Sequence, residues 1–254
     1  MSAQAVFEGV GVALVTIFDD RGDLDAGATA ELARQLVSLG VRAVVVAGTT
    51  GEAAALDPDE RATLLAAVRQ AVPAVPLIVG TGAPSARQAV RYTVQARDGG
   101  ADAVLALSPP GASDVRPYYE AVARAAGELP LLAYHFPRVS SPGVPLDALA
   151  GLPVAGMKDS SGDPGLLLET LRRWPKPLYP GSTALVSMAA LVGCPGVVLG
   201  LANAEPEMCV KAFAGDAEAQ LAMADVRRAE ERFPKGIKEL VSARFGFSPS
   251  SRLG

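Results

Sequence analysis

The sequence predicts a single α/β domain, a (β/α)8 TIM barrel with a short C-terminal helical extension, and three observations carry that expectation. Short, continuously apolar runs alternate with longer amphipathic stretches, the pattern of parallel strands buried on both faces and joined by covering helices. Eight such units fit into about 215 residues, close to the usual length of a closed (β/α)8 ring. No low-complexity linker or change of composition divides the chain, and 254 residues that are half apolar, with mean hydropathy +0.27, suffice for one large core.

Taken in order, the strand candidates are 10–15, 41–46, 77–79, 103–107, 131–134, 154–157, 177–179 and 196–199. Helical patterns fill 26–39, 58–72, 85–98, 115–127, 164–173, 183–192 and 205–214. The first of these is opened by an acidic residue and closed by Gly40; in the second, Asp57 can cap and Pro58 can occupy the first turn. Residues 1–215 are assigned to the barrel, and 216–254 to a C-terminal helix and tail packed on it. One long amphipathic helix is expected to about residue 244, followed by a Ser/Pro/Gly tail expected to be mobile or trimmed.

Composition removes several function classes. With 23 Lys+Arg against 27 Asp+Glu the formal charge is −4, and no basic block could follow a phosphate backbone, so nucleic acid is not an expected partner. The apolar runs are broken well before membrane-spanning length and no leader pattern opens the chain, which reads as a soluble cytoplasmic protein. Cys194 and Cys209 are far apart, with no CxxC, HExxH or Cys/His cluster, so neither metal nor disulfide is expected and both read as buried thiols. His135 is the one histidine and GxSxG is absent, which argues against a Ser-His-Asp hydrolase. Gly9-Val-Gly11 has Leu14, and Gly80-Thr-Gly82 has Ser85, where a dinucleotide fingerprint needs a third glycine; with no GxxxxGK either, no nucleotide cofactor is expected.

In such a barrel the chemistry sits at the C-terminal ends of the strands. Those ends read Gly48-Thr-Thr-Gly-Glu52, Ser108-Pro-Pro-Gly111, Tyr134-His-Phe-Pro137, Lys158-Asp-Ser-Ser-Gly162 and Gly181-Ser-Thr183. Lysine is scarce, five against 18 arginines, and Lys158 is the first in the chain. At the end of an apolar strand it would be desolvated, which disfavours the ammonium form and frees an amine able to form a Schiff base with a carbonyl substrate. Pairing with Asp159 or another rim acid is the alternative. Tyr134 could shuttle protons for iminium chemistry, or pack as an amphipathic core tyrosine. Gly48, Thr49, Thr50 and the glycine-flanked N–H groups could form a nest for a carboxylate, or Thr49, Thr50 and Glu52 could satisfy helix-end donors.

These elements in this order resemble the dihydrodipicolinate synthase / N-acetylneuraminate lyase family, the class I aldolases that act through a pyruvate-type Schiff base. The resemblance spans roughly residues 7–245 and is carried by Gly48-Thr-Thr-Gly-Glu52, Tyr134-His-Phe-Pro137 in place of YNxP, Gly156-Met-Lys-Asp-Ser-Ser-Gly162, Pro180-Gly-Ser182 and Gly196-Val-Val-Leu-Gly200. It implies Lys158 as the Schiff-base lysine, Tyr134 as the proton-relay tyrosine, Thr49 as a relay hydroxyl and Thr50 as a ligand of the substrate carboxylate. The backbone at Gly181 and Val198 would line the same pocket. It also implies a homo-oligomer, tetramer or dimer, with no metal or organic cofactor.

Departures from the pattern bear on the substrate. Pro109-Pro110-Gly111 stands where the family's synthases place a tyrosine that joins a neighbouring subunit's relay; Tyr118 and Tyr119 fall in the next helix and read as packing residues. Arg138 lies four residues after Tyr134, not five, and His135 replaces an asparagine. These changes favour cleavage or formation of a 2-keto-3-deoxy sugar acid or 4-hydroxy-2-oxo acid, whose polar part could meet His135, Arg138 and Ser182. The alternatives are 4-hydroxy-tetrahydrodipicolinate synthesis, a sugar-acid dehydratase and, of another class, a non-catalytic paralogue that binds an oxo acid.

Overall fold

The computed structural model describes residues 4–253. Strands and helices alternate as β1 (Gly9–Ala13), α1 (Ala26–Ser38), β2 (Ala43–Val46), α2 (Pro58–Ala71), β3 (Leu77–Gly80), α3 (Ala86–Asp98), β4 (Ala103–Leu107), α4 (Arg116–Ala126), β5 (Leu131–His135), α5 (Leu146–Leu149), β6 (Gly156–Asp159), α6 (Pro164–Arg173), β7 (Leu178–Pro180), α7 (Val186–Leu191), β8 (Gly196–Leu199) and α8 (Pro206–Phe213). Two further helices follow, α9 (Ala217–Glu231) and α10 (Lys235–Phe245).

Parallel ladders join the strands in the order β7-β6-β5-β4-β3-β2-β1-β8, and β7 meets β8 across the remaining seam. Such a ring has two cores. Val45, Ile78, Leu105, Leu132 and Val198 fill the bore, whereas Val44, Val79, Val104, Leu131 and Val197 face the helices, as strand alternation requires. Phe7 stacks on Tyr179 with 4.6 Å between centroids within the bore cluster. Asn203 holds the β8–β1 seam, its amide donating to Ala13 O at 2.7 Å and its Oδ1 accepting Val15 N–H at 2.9 Å.

Local chemistry accounts for the helix starts. Asp57 accepts from Asp59 and Glu60 N–H while Glu60 reaches back to Asp57 N–H, a complete capping box with Pro58 in the first turn. Asp25, Ser85 and Asp163 cap α1, α3 and α6 more simply, each accepting first-turn N–H groups with a side-chain oxygen.

Four expectations require correction. The sixth strand is Gly156–Asp159, not 154–157: Val154 N–H bonds to Leu152 O in a turn, so Lys158 lies inside the ladder. The one-turn α5 was not expected, because Ser141-Pro-Gly-Val-Pro145 reads as chain breakers. The expected long C-terminal helix is two helices, because Pro234 lacks a donor and restricts Phe233 before it. The tail after Gly246 is not loose: residues 250–253 hydrogen-bond to Glu52 and Lys238.

Candidate active site

The β5–β6 ladder places Lys158 opposite Tyr134 as Cα partners, and both side chains enter the bore. Lys158 Nζ lies 4.5 Å from the centroid of the Tyr134 ring. Ser160, the residue immediately after β6, directs its hydroxyl to Tyr134 OH at 3.5 Å. Among the described residues Lys158 forms no ion pair. Asp159 points to the other strand face, where its carboxylate accepts Ser161 N–H at 2.8 Å, so the Lys158–Asp159 pairing left open by the sequence is not what the fold makes.

Lys158 faces a cavity of about 430 Å³ whose lining includes Thr50, Tyr134, Arg138, Ser160, Gly181, Ser182, Val198 and Glu230. Close packing leaves the lysine little freedom. A Cβ on Gly181 would collide with Ser160 Oγ and stand 3.1 Å from Lys158 Cε, so only glycine lets the β7 end approach the amine this closely. Thr183 Oγ1 donates to Glu230 Oε2 at 2.6 Å, bringing an α9 carboxylate to the mouth.

A second cavity, of about 520 Å³, lies on the other side of Tyr134 and is lined by Gly48, Thr49, Ser108, Pro110 and Leu253 among others. Thr49 and Thr50 therefore diverge. Thr50 faces Lys158, while Thr49 and Gly48 face the neighbouring cavity, and Tyr134 borders both.

The remaining nominated residues separate. Arg138, Ser182, Gly181 and Val198 line the Lys158 cavity. His135 lines neither cavity: one residue along β5 from Tyr134, it turns outward, and its Nδ1 accepts Val144 N–H at 2.9 Å. Gly143 has no side chain where the imidazole sits; a Cβ there would be 2.6 Å from Nδ1. His135 thus supports the β5–α5 loop. Tyr118 and Tyr119 pack in the outer core, as expected, with Tyr118 OH accepting Ala83 N–H and Tyr119 OH donating to Ala106 O.

Two contributors were not singled out from the sequence. Ser160 belongs to a run already seen as functional, and its position two residues after Lys158 on the same strand-end face was the available signal. Glu230 carried none, because only the path of α9 brings it to the mouth. Glu52 does not satisfy a helix end: it makes no cap hydrogen bond, and its buried carboxylate pairs with Lys238.

Comparison with known proteins agrees with this architecture. The model of the dihydrodipicolinate synthetase family matches residues 6–243. An uncharacterized DapA-like lyase of Halobacterium salinarum is 37% identical over 257 residues, covering 93% of this chain and 84% of its own. A 4-hydroxy-tetrahydrodipicolinate synthase of Nitrosospira multiformis is 36% identical over 220 residues, covering 81% and 73% respectively. The crystal structure of a putative dihydrodipicolinate synthetase from Pseudomonas aeruginosa superposes with a TM-score of 0.85 at 25% identity, over 97% of this chain and 92% of that one. With matched sequence across nearly the whole length and the lysine and tyrosine paired inside a barrel of the same fold, the chain belongs to the dihydrodipicolinate synthetase family.

Proposed function

We propose that the protein is a class I aldolase or lyase that joins pyruvate to an aldehyde or cleaves the product of that union. The observation that carries this reading is the single rung holding Lys158 and Tyr134 side by side in the bore. The Lys158 amine attacks C2 of a 2-oxo acid, and Tyr134 gives its proton to the departing carbinolamine hydroxyl, which leaves as water and leaves a protonated imine beside the tyrosinate. In cleavage, the C3–C4 bond breaks, its electron pair moves into the imine to give an enamine, and Tyr134 takes the proton from the departing C4 hydroxyl. Protonation at C3 and hydrolysis then release pyruvate and the lysine. Thr50 binds the substrate carboxylate, Thr49 passes protons to Tyr134 from the neighbouring cavity, and Gly48 shapes their turn. Gly181 and Val198 wall the cavity, and Arg138 and Ser182 meet the aldehyde-derived part. His135 serves the scaffold.

The polar rim of Arg138, Ser161 and Ser182 supports a polyhydroxy partner, that is, a 2-keto-3-deoxy sugar acid or a 4-hydroxy-2-oxo acid. The relative named 4-hydroxy-tetrahydrodipicolinate synthase favours the second reading, synthesis in the lysine pathway. We further read the protein as a cytoplasmic homo-oligomer, dimer or tetramer, on the family resemblance; no helix among the described residues is long and apolar enough to cross a membrane. The test is borohydride trapping with pyruvate followed by peptide mass spectrometry. An adduct on the Lys158 peptide, absent in Lys158→Ala, is expected, and absence of an adduct would favour the oxo-acid-binding paralogue. Assaying the untreated enzyme for cleavage of 2-keto-3-deoxy sugar acids and for formation of 4-hydroxy-tetrahydrodipicolinate then separates the two enzymatic readings.

A further inference from the structure

The turn at 48–52 is fixed from beneath by the segment that follows β1. Gly51 O accepts from Thr16 Oγ1 at 2.7 Å, and a Cβ on Gly51 would stand 2.8 Å from Leu14 O. Glu52 closes the turn through its N–H to Thr49 O at 3.1 Å, in a left-handed conformation (φ +54°, ψ +41°) that non-glycine residues adopt only when their surroundings impose it.

Those surroundings are the C-terminal tail. The fully buried Glu52 carboxylate accepts from Lys238 Nζ, Ser251 Oγ at 2.9 Å, Arg252 N–H at 2.8 Å and Leu253 N–H at 2.7 Å. Lys238 Nζ also donates to Ser250 O at 2.7 Å. Arg252 then fastens the chain that follows the turn, donating to Ala55 O at 2.8 Å and pairing with both oxygens of Glu60 on α2 at 2.6 and 2.7 Å. Leu253 completes the wall of the cavity shared by Thr49 and Tyr134.

We propose that residues 250–253 are a strap that positions Thr49 and Thr50, with Glu52 as its buried anchor and as a positioning residue for the reaction. A well-packed apolar contact would hold the tail at less desolvation cost than a buried ion pair. What the carboxylate adds is direction: its acceptor sites take successive backbone donors of the strap and fix the φ and ψ of the residue that ends the threonine turn. Loosening the strap releases Glu52 and, through the Glu52–Thr49 hydrogen bond, the two hydroxyls on either side of Tyr134. The role of the threonines rests on the proposed Schiff-base reaction; the mechanical link does not.

Two variants test it: Arg252→Ala and a chain ending at residue 247. Hydrogen exchange of the peptide covering 48–55 is expected to quicken about tenfold while β5 and β6 peptides stay unchanged, since only the strap contacts are lost. In borohydride trapping, the pyruvate concentration for half-maximal labelling is expected to rise about tenfold with the maximum unaltered, the signature of misplaced binding groups. A synthetic peptide of residues 248–254 should restore the shortened chain. Unchanged exchange at 48–55 with unchanged half-saturation would overturn the strap. If the shortened chain does not fold, Arg252→Ala decides alone. A wild-type protein that pyruvate never labels would overturn the Schiff-base reading, while the exchange measurement still decides the strap.

Discussion

Lys158 and Tyr134 are Cα partners on adjacent parallel strands, and the lysine nitrogen lies 4.5 Å from the tyrosine ring centroid. Registered partners present their side chains to the same face, so the backbone ladder of β5 and β6 sets this distance, not a loop. Substitutions that keep the ladder while removing a functional atom should therefore separate chemistry from folding.

Tyr134→Phe keeps the ring packed against Lys158 and removes only the hydroxyl. Turnover is expected to fall about 10²–10⁴-fold, the usual contribution of a positioned proton donor or acceptor. The thermal midpoint should stay near wild type, since Ser160 Oγ is a long partner at 3.5 Å. Steady-state kinetics beside a melting curve would decide; an unchanged kcat would remove Tyr134 from proton transfer.

Gly181→Ala puts a methyl group into Ser160 Oγ and 3.1 Å from Lys158 Cε. Displacing the amine by an ångström should slow pyruvate trapping about 10²-fold. Adding Ser160→Ala removes the hydroxyl from the clash and should recover part of the rate. A Gly181→Ala protein that is labelled at the wild-type rate would show that the approach of β7 to the lysine does not matter.

Glu52→Gln leaves the Lys238 ammonium buried without its counter-ion, which typically costs about 3–5 kcal/mol. Replacing both partners, Glu52→Gln with Lys238→Met, is expected to return most of that loss in urea unfolding. Equal destabilisation by the single and double variants would mean that packing, not charge, holds this site.

The Arg252–Glu60 pair predicts a pH dependence. The hydrogen bond from Arg252 holds the Glu60 carboxyl below the usual carboxylate range. A carboxyl depressed in the folded state contributes stability that is present above its unfolded value, about 4.3, and is lost as pH falls through its lower folded value. Arg252→Ala should therefore be less stable than wild type at pH 7, with the difference narrowing in acid below that folded value to what the hydrogen bonds to Gly22 O and Ala55 O contribute. Denaturant midpoints across this range would show it; a gap as wide in acid as at pH 7 would assign the whole loss to contacts other than the ion pair.

Burial pushes the Cys194 thiol up to about 12, and raises Cys209 as well. Neither thiolate forms near neutral pH, and the thiolate is the reactive species. Ellman's reagent at pH 8 should find no thiol in the native protein and two after unfolding in urea.

The eight-unit ring is legible in the amino-acid order, because parallel strands buried on both faces leave uninterrupted apolar runs and their helices leave caps such as Asp57-Pro58. That order also singled out Lys158 and Tyr134, since residues at strand ends have few places to go in a closed barrel. It did not separate Thr49 from Thr50, because adjacent residues in a turn diverge by backbone angles that composition does not encode. It set His135 against the polar part of a substrate, whereas the period-two alternation of β5 turns the imidazole outward onto Val144. In the chain Glu52 lies 186 residues from Lys238 and 199 from Ser251. Only the tertiary structure joins them, because a buried carboxylate requires donors from wherever the fold brings them, and a Ser/Pro/Gly tail gains order from the partner that binds it rather than from its own propensity.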